Sequence, residues 1–325
     1  MDLENFLEQV KDPDLRQIVH AIAEASVSID QVLRNGVQDV SSSAVAAAPG
    51  QQHNAFGDAQ LSEDLTADHL ARSRLLQVPC VSYVSSEENP TEQRGPGHKY
   101  AVAFDPLDGS SVLESNFSVG SIFGVWRTAE RLVGCQGRDM VAAAVTLYGP
   151  RLVLVVAVDP GLMSSDWPGG VASFRWTTSN DARWRLLKQW SPDLLRHSSA
   201  SLFAPGNLRA TQELPPYDRM VRSWIESRYT LRYSGAMAPD VFQIIAKGQG
   251  IFCNPSVPGK AKLRLVYEAL PLAFLVEAVG GRSSDGSRTS TSLLDKRITL
   301  LIERTPVVLG SPSEVQRYIE AMNET

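Results

Sequence analysis

The chain has 325 residues, 43% of them hydrophobic, so it can bury a large core, and its length favours two subdomains over one. Its 31 basic and 36 acidic side chains leave a formal net charge of −5 and no basic footprint, so nucleic acid and acidic membrane surfaces are excluded as natural partners and an anionic substrate needs local cations. No apolar run approaches the length of a membrane span, Met1–Val10 reads as an acidic amphipathic segment rather than a targeting peptide, and the expected location is the cytoplasm, an organelle being the alternative.

Apolar residues at Leu15, Ile18, Val19, Ile22, Ala25, Ile29 and Leu33 predict a helix over Asp14–Leu33, stopped by Asn35-Gly36. Ser41–Asn54 is small and polar and reads as a loop that delivers the chain to Phe56-Gly57-Asp58. A second helix from about Gln60 to Gln77 carries Asp64 in an early turn. The strand Cys80–Val84 follows and ends in Ser85-Ser86-Glu87-Glu88, which taken alone could be a charged surface loop. Cys80, Cys135 and Cys253 have no paired spacing and read as core thiols.

The stretch Tyr100–Ser111, YAVAFDPLDGSS, starts as a buried strand and is expected to break at Pro106 into an acidic turn. Asp105 and Asp108 at a strand's carboxyl end repel each other unless a cation neutralises them, and hard oxygen ligands suit magnesium or manganese. Gly109 lets backbone approach a ligand, and Ser110 and Ser111 are placed to cap a following helix whose amides attract phosphate. Metal and phosphate at one place is the chemistry of metal-dependent phosphoryl hydrolysis. An ordinary turn with an Asx cap is the competing reading.

Strands are expected at Val119–Trp126 and Leu152–Val158, with Gly134–Thr146 a small-residue connection. From Asp159 to Ser199 the periodicity weakens, giving β-hairpins, a linker and a subdomain boundary that divides the chain into 1–198 and 199–325. Trp167, Trp176, Trp184 and Trp190 there read as packing, since a stacking platform for nucleic acid would need a basic groove. Helices are predicted near Tyr217–Ser227 and Pro239–Ala246, with Tyr229–Tyr233 and Gly250–Cys253 extended. Lys262 and Arg264 alternate with Leu263, Leu265 and Val266, so a strand would project both cations from one face. Glu268 precedes the helix Pro271–Val279. A solvated edge strand is the alternative there. A polar loop Asp285–Lys296, a strand Ile298–Val308 and a helix Pro312–Met322 complete an alternating pattern that argues for a layered α/β fold. No GxGxxG or Walker-type loop occurs, and the five histidines lie outside any nucleophile motif.

Taken together and in this order, FGD at Phe56–Asp58, Asp64, SSEE at Ser85–Glu88, FDPLDGSS at Phe104–Ser111 and KLRLVYE at Lys262–Glu268 resemble the fructose-1,6-bisphosphatase superfamily. PGNLRAT at Pro205–Thr211, LRYSGAMAPD at Leu231–Asp240 and NFSVGSIFGVW at Asn116–Trp126 are more similar to its sedoheptulose-1,7-bisphosphatase branch. The resemblance spans roughly Leu15–Tyr318. It implies the αβαβα sugar-phosphatase sandwich and hydrolysis of the 1-phosphate of sedoheptulose-1,7-bisphosphate. Fructose-1,6-bisphosphate, or both sugars, is the alternative, and a silent metabolite-binding scaffold a second one.

The resemblance also implies roles. Asp58, Glu87, Asp105, Asp108, Glu268 and the Leu107 carbonyl would hold two or three magnesium ions, with manganese able to substitute, while Asp64 and Glu88 would position and deprotonate the attacking water. Gly109, Ser110 and Ser111 would cradle the leaving phosphate near Arg264. Asn207, Tyr233, Lys262 and Arg232 would hold the distal phosphate, with Met237 also against the substrate. Arg232 would reach across from a neighbouring subunit of a homodimer, or of a tetramer. Four departures from the family stand out. Asp12-Pro13-Asp14-Leu15-Arg16 does not match the glycine- and threonine-rich opening of AMP-inhibited members, although Lys99 and Tyr100 match the nucleotide-contacting pair. Ser43–Asn54 lacks the regulatory cysteines of plastid members. Asn254 stands where six-carbon enzymes have a tyrosine on the distal phosphate. Leu208–Thr211 replaces a tyrosine-bearing loop.

Overall fold

Three separate buried clusters define the architecture of the computed structural model, which describes residues 1–36, 61–167, 169–178, 181–198, 200–257, 261–289 and 291–324. Asp58 and the predicted loop Ser41–Asn54 lie outside the described residues. The N-terminal half comprises α1 (Leu3–Glu8), α2 (Pro13–Asn35), α3 (Ser62–Leu75), β1 (Val81–Ser86), β2 (Gln93–Arg94), β3 (Tyr100–Asp108), β4 (Val119–Arg127), β5 (Met140–Tyr148), β6 (Val153–Val158), β7 (Val171–Thr177) and β8 (Arg183–Trp190). The remainder comprises β9 (Leu202–Pro205), α4 (Pro215–Glu226), β10 (Thr230–Leu231), α5 (Met237–Lys247), β11 (Ile251–Asn254), β12 (Leu263–Arg264), α6 (Leu270–Glu277), β13 (Arg282–Ser284), β14 (Arg304–Thr305), β15 (Val307–Gly310) and α7 (Pro312–Met322).

Alternation along the strands assigns the layers. In β3, Val102 and Phe104 face a core shared with α2 and α3, whereas Ala101 and Ala103 face a second core built with α5 and α6. In β11, Phe252 joins that second core, and Ile251 and Cys253 face a third one with Tyr217 and Trp224 of α4 and Tyr318 of α7. The order is therefore helix, sheet, helix, sheet, helix, as the resemblance implies. The first sheet runs β2-β1-β3-β4-β5-β6-β7-β8, antiparallel except for the parallel pair β1/β3, and the second runs β10-β9-β11-β15-β13. The tryptophans pack: Trp167 meets Phe6 edge-on at 5.0 Å, Trp176 meets Trp184 at 5.4 Å and Trp190 meets Phe242 at 5.8 Å.

Several predicted elements differ. β3 does not break at Pro106 but runs to Asp108, because its ladder with β4 is irregular between Asp105 and Asp108, where a missing N–H is tolerated. The Ser121 hydroxyl donates to the Pro106 carbonyl at 2.6 Å and fixes that irregularity. After Gly109 there is a single 3₁₀ turn, Ser110–Val112, rather than a helix. The expected connection Gly134–Thr146 holds most of the strand β5, which runs on to Tyr148 and whose residues are all buried; sandwiched between helical layers, it has no polar face for alternation to reveal. The strand expected at Lys262–Val266 shrinks to β12 and passes into a π-helical turn, Leu265–Ala269, that leads into α6. Ile298–Val308 holds two short strands, β14 and the start of β15, instead of one.

Candidate active site and metal centre

Parallel pairing of β1 and β3 puts their carboxyl ends side by side, with Ser86 opposite Phe104 and the Glu87 N–H donating to the Phe104 carbonyl at 3.0 Å. The acidic ends of two strands thereby become one cluster. The π-helical turn brings in a third carboxylate, Glu268. Carboxylate oxygens of Glu87, Asp105 and Glu268, all buried, lie within 4.8 Å of one another. Such turns recur at functional sites because the wider ring re-aims one side chain.

Burial is the main force on this cluster, pushing Asp105 well above its ordinary value, with the charges of Glu87 and Asp108 adding to the push. It likewise raises Glu87 to about 8, reinforced by Glu268 and opposed by Arg264. Three buried carboxylates without a cation are unfavourable, and one cation of the chain already answers them. Arg264 Nη2 lies 2.6 Å from Glu87 Oε1, and its backbone N–H donates to Glu268 Oε2 at 2.5 Å. Buried hard oxygen donors, close together and drawing a guanidinium, fit a divalent cation.

The predicted ligand Asp108 is placed differently from the other three. Its Oδ1 and Oδ2 accept the Met237 and Ala238 N–H groups at 3.1 and 2.7 Å, so it holds the start of α5 at the edge of the cluster. Burial raises its carboxyl to about 7, with Glu268 adding and those two amides opposing. Gly109 must be glycine on two counts: its φ is +88°, and a Cβ there would stand 2.3 Å from that of Ala236.

A cavity of about 560 Å³ opens over the cluster. Leu107, Gly109, Ser110, Ser111, Asp64, Glu88, Tyr233, Met237, Lys262 and Arg264 line it together with the carboxylates. Asp64 accepts the Leu61 N–H at 3.0 Å and is pushed up to about 7, chiefly by burial, against that N–H, and further by the charge of Glu88. A carboxyl near neutrality facing a cavity suits general-base work. Two predicted residues do not line the cavity. Asn207 donates its side-chain N–H to the Pro255 carbonyl at 3.0 Å, and Arg232 is exposed, with Nη1 on the Leu231 carbonyl at 3.1 Å.

Sequence reasoning missed what holds the glutamate turn. The Arg72 guanidinium pairs with Asp68 at 3.0 Å and donates to the Ser86 hydroxyl at 2.5 Å and the Asn89 carbonyl at 3.3 Å, gripping residues on both sides of Glu87-Glu88. The i,i+4 spacing of Asp68 and Arg72 was a legible signal, although its target was not. Leu61, Gly235, Phe252 and Asn254 also line the cavity.

Known proteins give the site its family. Residues 3–174 match Fructose-1-6-bisphosphatase, N-terminal domain, and residues 197–323 match Fructose-1-6-bisphosphatase, C-terminal domain. The chain is 45% identical over 273 residues to the chloroplastic sedoheptulose-1,7-bisphosphatase of Triticum aestivum, covering 83% of this chain and 65% of that one. It thus spans slightly under two thirds of that relative. Identity to the Chlamydomonas reinhardtii chloroplastic sedoheptulose-1,7-bisphosphatase is 39%, covering 99% and 77%, and to the class 1 fructose-1,6-bisphosphatase of Helicobacter hepaticus 33%, covering 92% and 96%. A Toxoplasma gondii crystal structure provisionally assigned as sedoheptulose-1,7 bisphosphatase superposes with a TM-score of 0.83 at 34% identity, covering 99% of this chain and 98% of that one. The acidic cluster, the layered fold and both matched halves agree, and the chain belongs to the fructose-1,6-bisphosphatase family.

Proposed function

We propose that the protein is a magnesium-dependent phosphatase that releases the 1-phosphate of sedoheptulose-1,7-bisphosphate. The observation that carries this is one cavity lined at once by a buried carboxylate cluster, two cations and the Gly109–Ser111 turn. Glu87, Asp105 and Glu268 would hold the divalent cation, with Asp108 beside them. When bound, it supplies positive charge against the charge that grows on the transferring phosphoryl oxygens. Asp64 and Glu88 orient a water and take its proton, and the backbone of Gly109–Ser111 receives the phosphate. Lys262 and Tyr233 meet the distal phosphate at the far side.

The seven-carbon preference is supported by the higher identity to relatives named for that sugar, and by Asn254 at the cavity wall, where a phenol would fill space. Arg232 lies outside its own cavity, next to the exposed side chains of Leu231 and Tyr233, which supports its serving a second copy of the chain in a homodimer or tetramer. Phosphate release from sedoheptulose-1,7- and fructose-1,6-bisphosphates, with magnesium and with chelator, tests the reading. Faster turnover of the seven-carbon ester that requires the metal is expected. Equal release in chelator, or preference for the six-carbon ester, overturns it.

A further inference from the structure

Between the distal end of the cavity and the carboxylate cluster the chain makes a short turn, Ser234-Gly235-Ala236, in which packing holds only the Ala236 end, Ala236 being fully buried while Ser234 is half-buried and Gly235 exposed. Its side chains are small, and Gly235 takes a φ of +99°. The Arg232 N–H is anchored upstream on the Phe203 carbonyl of β9 at 2.9 Å, and downstream the first amides of α5 grip Asp108. What fixes the Ser234-Gly235 end is Asp240, in the first turn of α5 and only 1% exposed, while the Ala236 N–H donates to the Ser234 hydroxyl at 3.3 Å within the turn. Its Oδ1 and Oδ2 accept the Ser234 N–H at 2.8 and 3.1 Å, and Oδ2 accepts the Gly235 N–H at 3.3 Å. A carboxylate hidden at this depth is retained against its desolvation penalty, and the backbone it holds is the residue pair immediately after Tyr233.

We propose that Asp240 is a positioning residue which, through the Ser234 and Gly235 amides, holds Tyr233 at a set distance from the carboxylate cluster and so sets the length of bisphosphate the cavity accepts. Asp108 fixes the start of α5 against the cluster, and Asp240 fixes Tyr233 against α5. The two carboxylates act in series. This rests on the reading above that Tyr233 meets the distal phosphate.

Asp240→Asn keeps the volume but removes the charge and turns one acceptor into a donor, so the Ser234 N–H loses one of its two acceptors and the hold on the turn weakens. The test compares this variant, Tyr233→Ala and the double variant on sedoheptulose-1,7-bisphosphate and on fructose-1-phosphate, which lacks a distal phosphate. A calorimetric Kd for sedoheptulose-7-phosphate, measured without magnesium, accompanies the kinetics. Asp240→Asn is expected to raise KM for the bisphosphate and Kd for the 7-phosphate about tenfold, with kcat within about twofold and KM for fructose-1-phosphate unchanged. The double variant should be no worse than Tyr233→Ala. Asp240→Glu, which keeps the charge but moves the acceptors by one methylene, should show the same split, so the test survives if the Asn variant does not fold. Tyr233→Ala with a raised KM beside Asp240 variants whose losses add to it, or fall equally on both substrates, would overturn the positioning role alone. Tyr233→Ala with an unchanged KM would overturn both that role and the distal-phosphate reading.

Discussion

At the scale of single residues, the carboxylate cluster sets activity against stability. Burial raises the folded-state values of Asp64 to about 7 and Glu87 to about 8, from ordinary values of 3.8 and 4.5. An acid whose folded value is raised stays protonated while the unfolded chain ionises, so stability is full below the ordinary value and is lost as pH rises toward the folded one. Metal-free protein should therefore lose thermal stability between about pH 4 and pH 8. Asp105→Asn removes one of the acids that bind a proton more tightly in the folded than in the unfolded chain, and its melting temperature at pH 8 without metal should exceed that of the parent. The same change should lower turnover by about a hundredfold or more. Magnesium should raise the melting temperature of the parent more than that of the variant, as binding to the folded state alone requires. An Asp105→Asn protein that turns over normally would remove the cluster from the chemistry. At the cavity wall, Asn254→Tyr should move the ratio of kcat/KM toward the six-carbon ester. The whole discrimination amounts to roughly 10- to 200-fold, because one extra carbon alters fit by only a few kcal/mol. An unchanged ratio would show that wall to be indifferent.

Among elements, the junction of α2 with β3 carries Lys99 and Tyr100, the pair that resembles a nucleotide contact. Lys99 Nζ sits 2.7 Å from Asp14 Oδ2 and 2.9 Å from Asp12 Oδ2, and the Tyr100 hydroxyl donates to Asp12 at 2.7 Å. Asp12 also caps α2, accepting the Asp14 N–H at 3.0 Å. The cation that would meet a phosphate is already matched by two carboxylates, which repel an incoming anion. Adenosine monophosphate at millimolar concentration should therefore change turnover by less than about twofold, since like charge disfavours the wrong partner. Strong inhibition would show that the junction opens. Burial alone would raise Asp12, but the hydrogen bonds from Tyr100, Lys99 and the Asp14 amide outweigh it and hold the carboxyl at about 2. Here the folded value is depressed, so the stabilisation is present above about pH 4 and is lost as pH falls toward 2. Asp12→Asn should flatten the acid limb of a pH-dependent unfolding curve over that window.

For the whole molecule, Arg232 is the residue through which assembly would reach the site. If it serves a neighbouring copy, Arg232→Ala should raise KM more than it lowers kcat, because a distal phosphate is held alike in ground and transition states. Mixing Arg232→Ala chains with Asp105→Asn chains and allowing them to reassemble should then restore some sites that have both an intact cluster and a neighbour's arginine. Activity that stays at the sum of the two parents would place Arg232 outside a shared site.

α2 and α7 were legible because each carries one apolar face and a local start or stop: α2 lies between the Asp12 cap with Pro13 and Gly36, and α7 begins at Pro312 as expected. The acidic motifs were legible as motifs. Their convergence was not, because nothing along the chain announces that β1 and β3 run parallel, and that pairing alone puts Glu87 beside Asp105. Nor does a strand-like KLRLV pattern announce a π-helical turn, which begins directly after β12 has paired only Leu263 and Arg264 with β14. β5 was misread for the same kind of reason, since a strand buried on both faces shows no period. The sequence by itself determined residue types, caps and apolar stripes, which are local properties of the backbone and its side chains. Tertiary structure decided which carboxylates share a cavity, that Asp108 holds a helix start as well as facing the cluster, and that Arg232 does not line the cavity, because those depend on layers packed from distant segments.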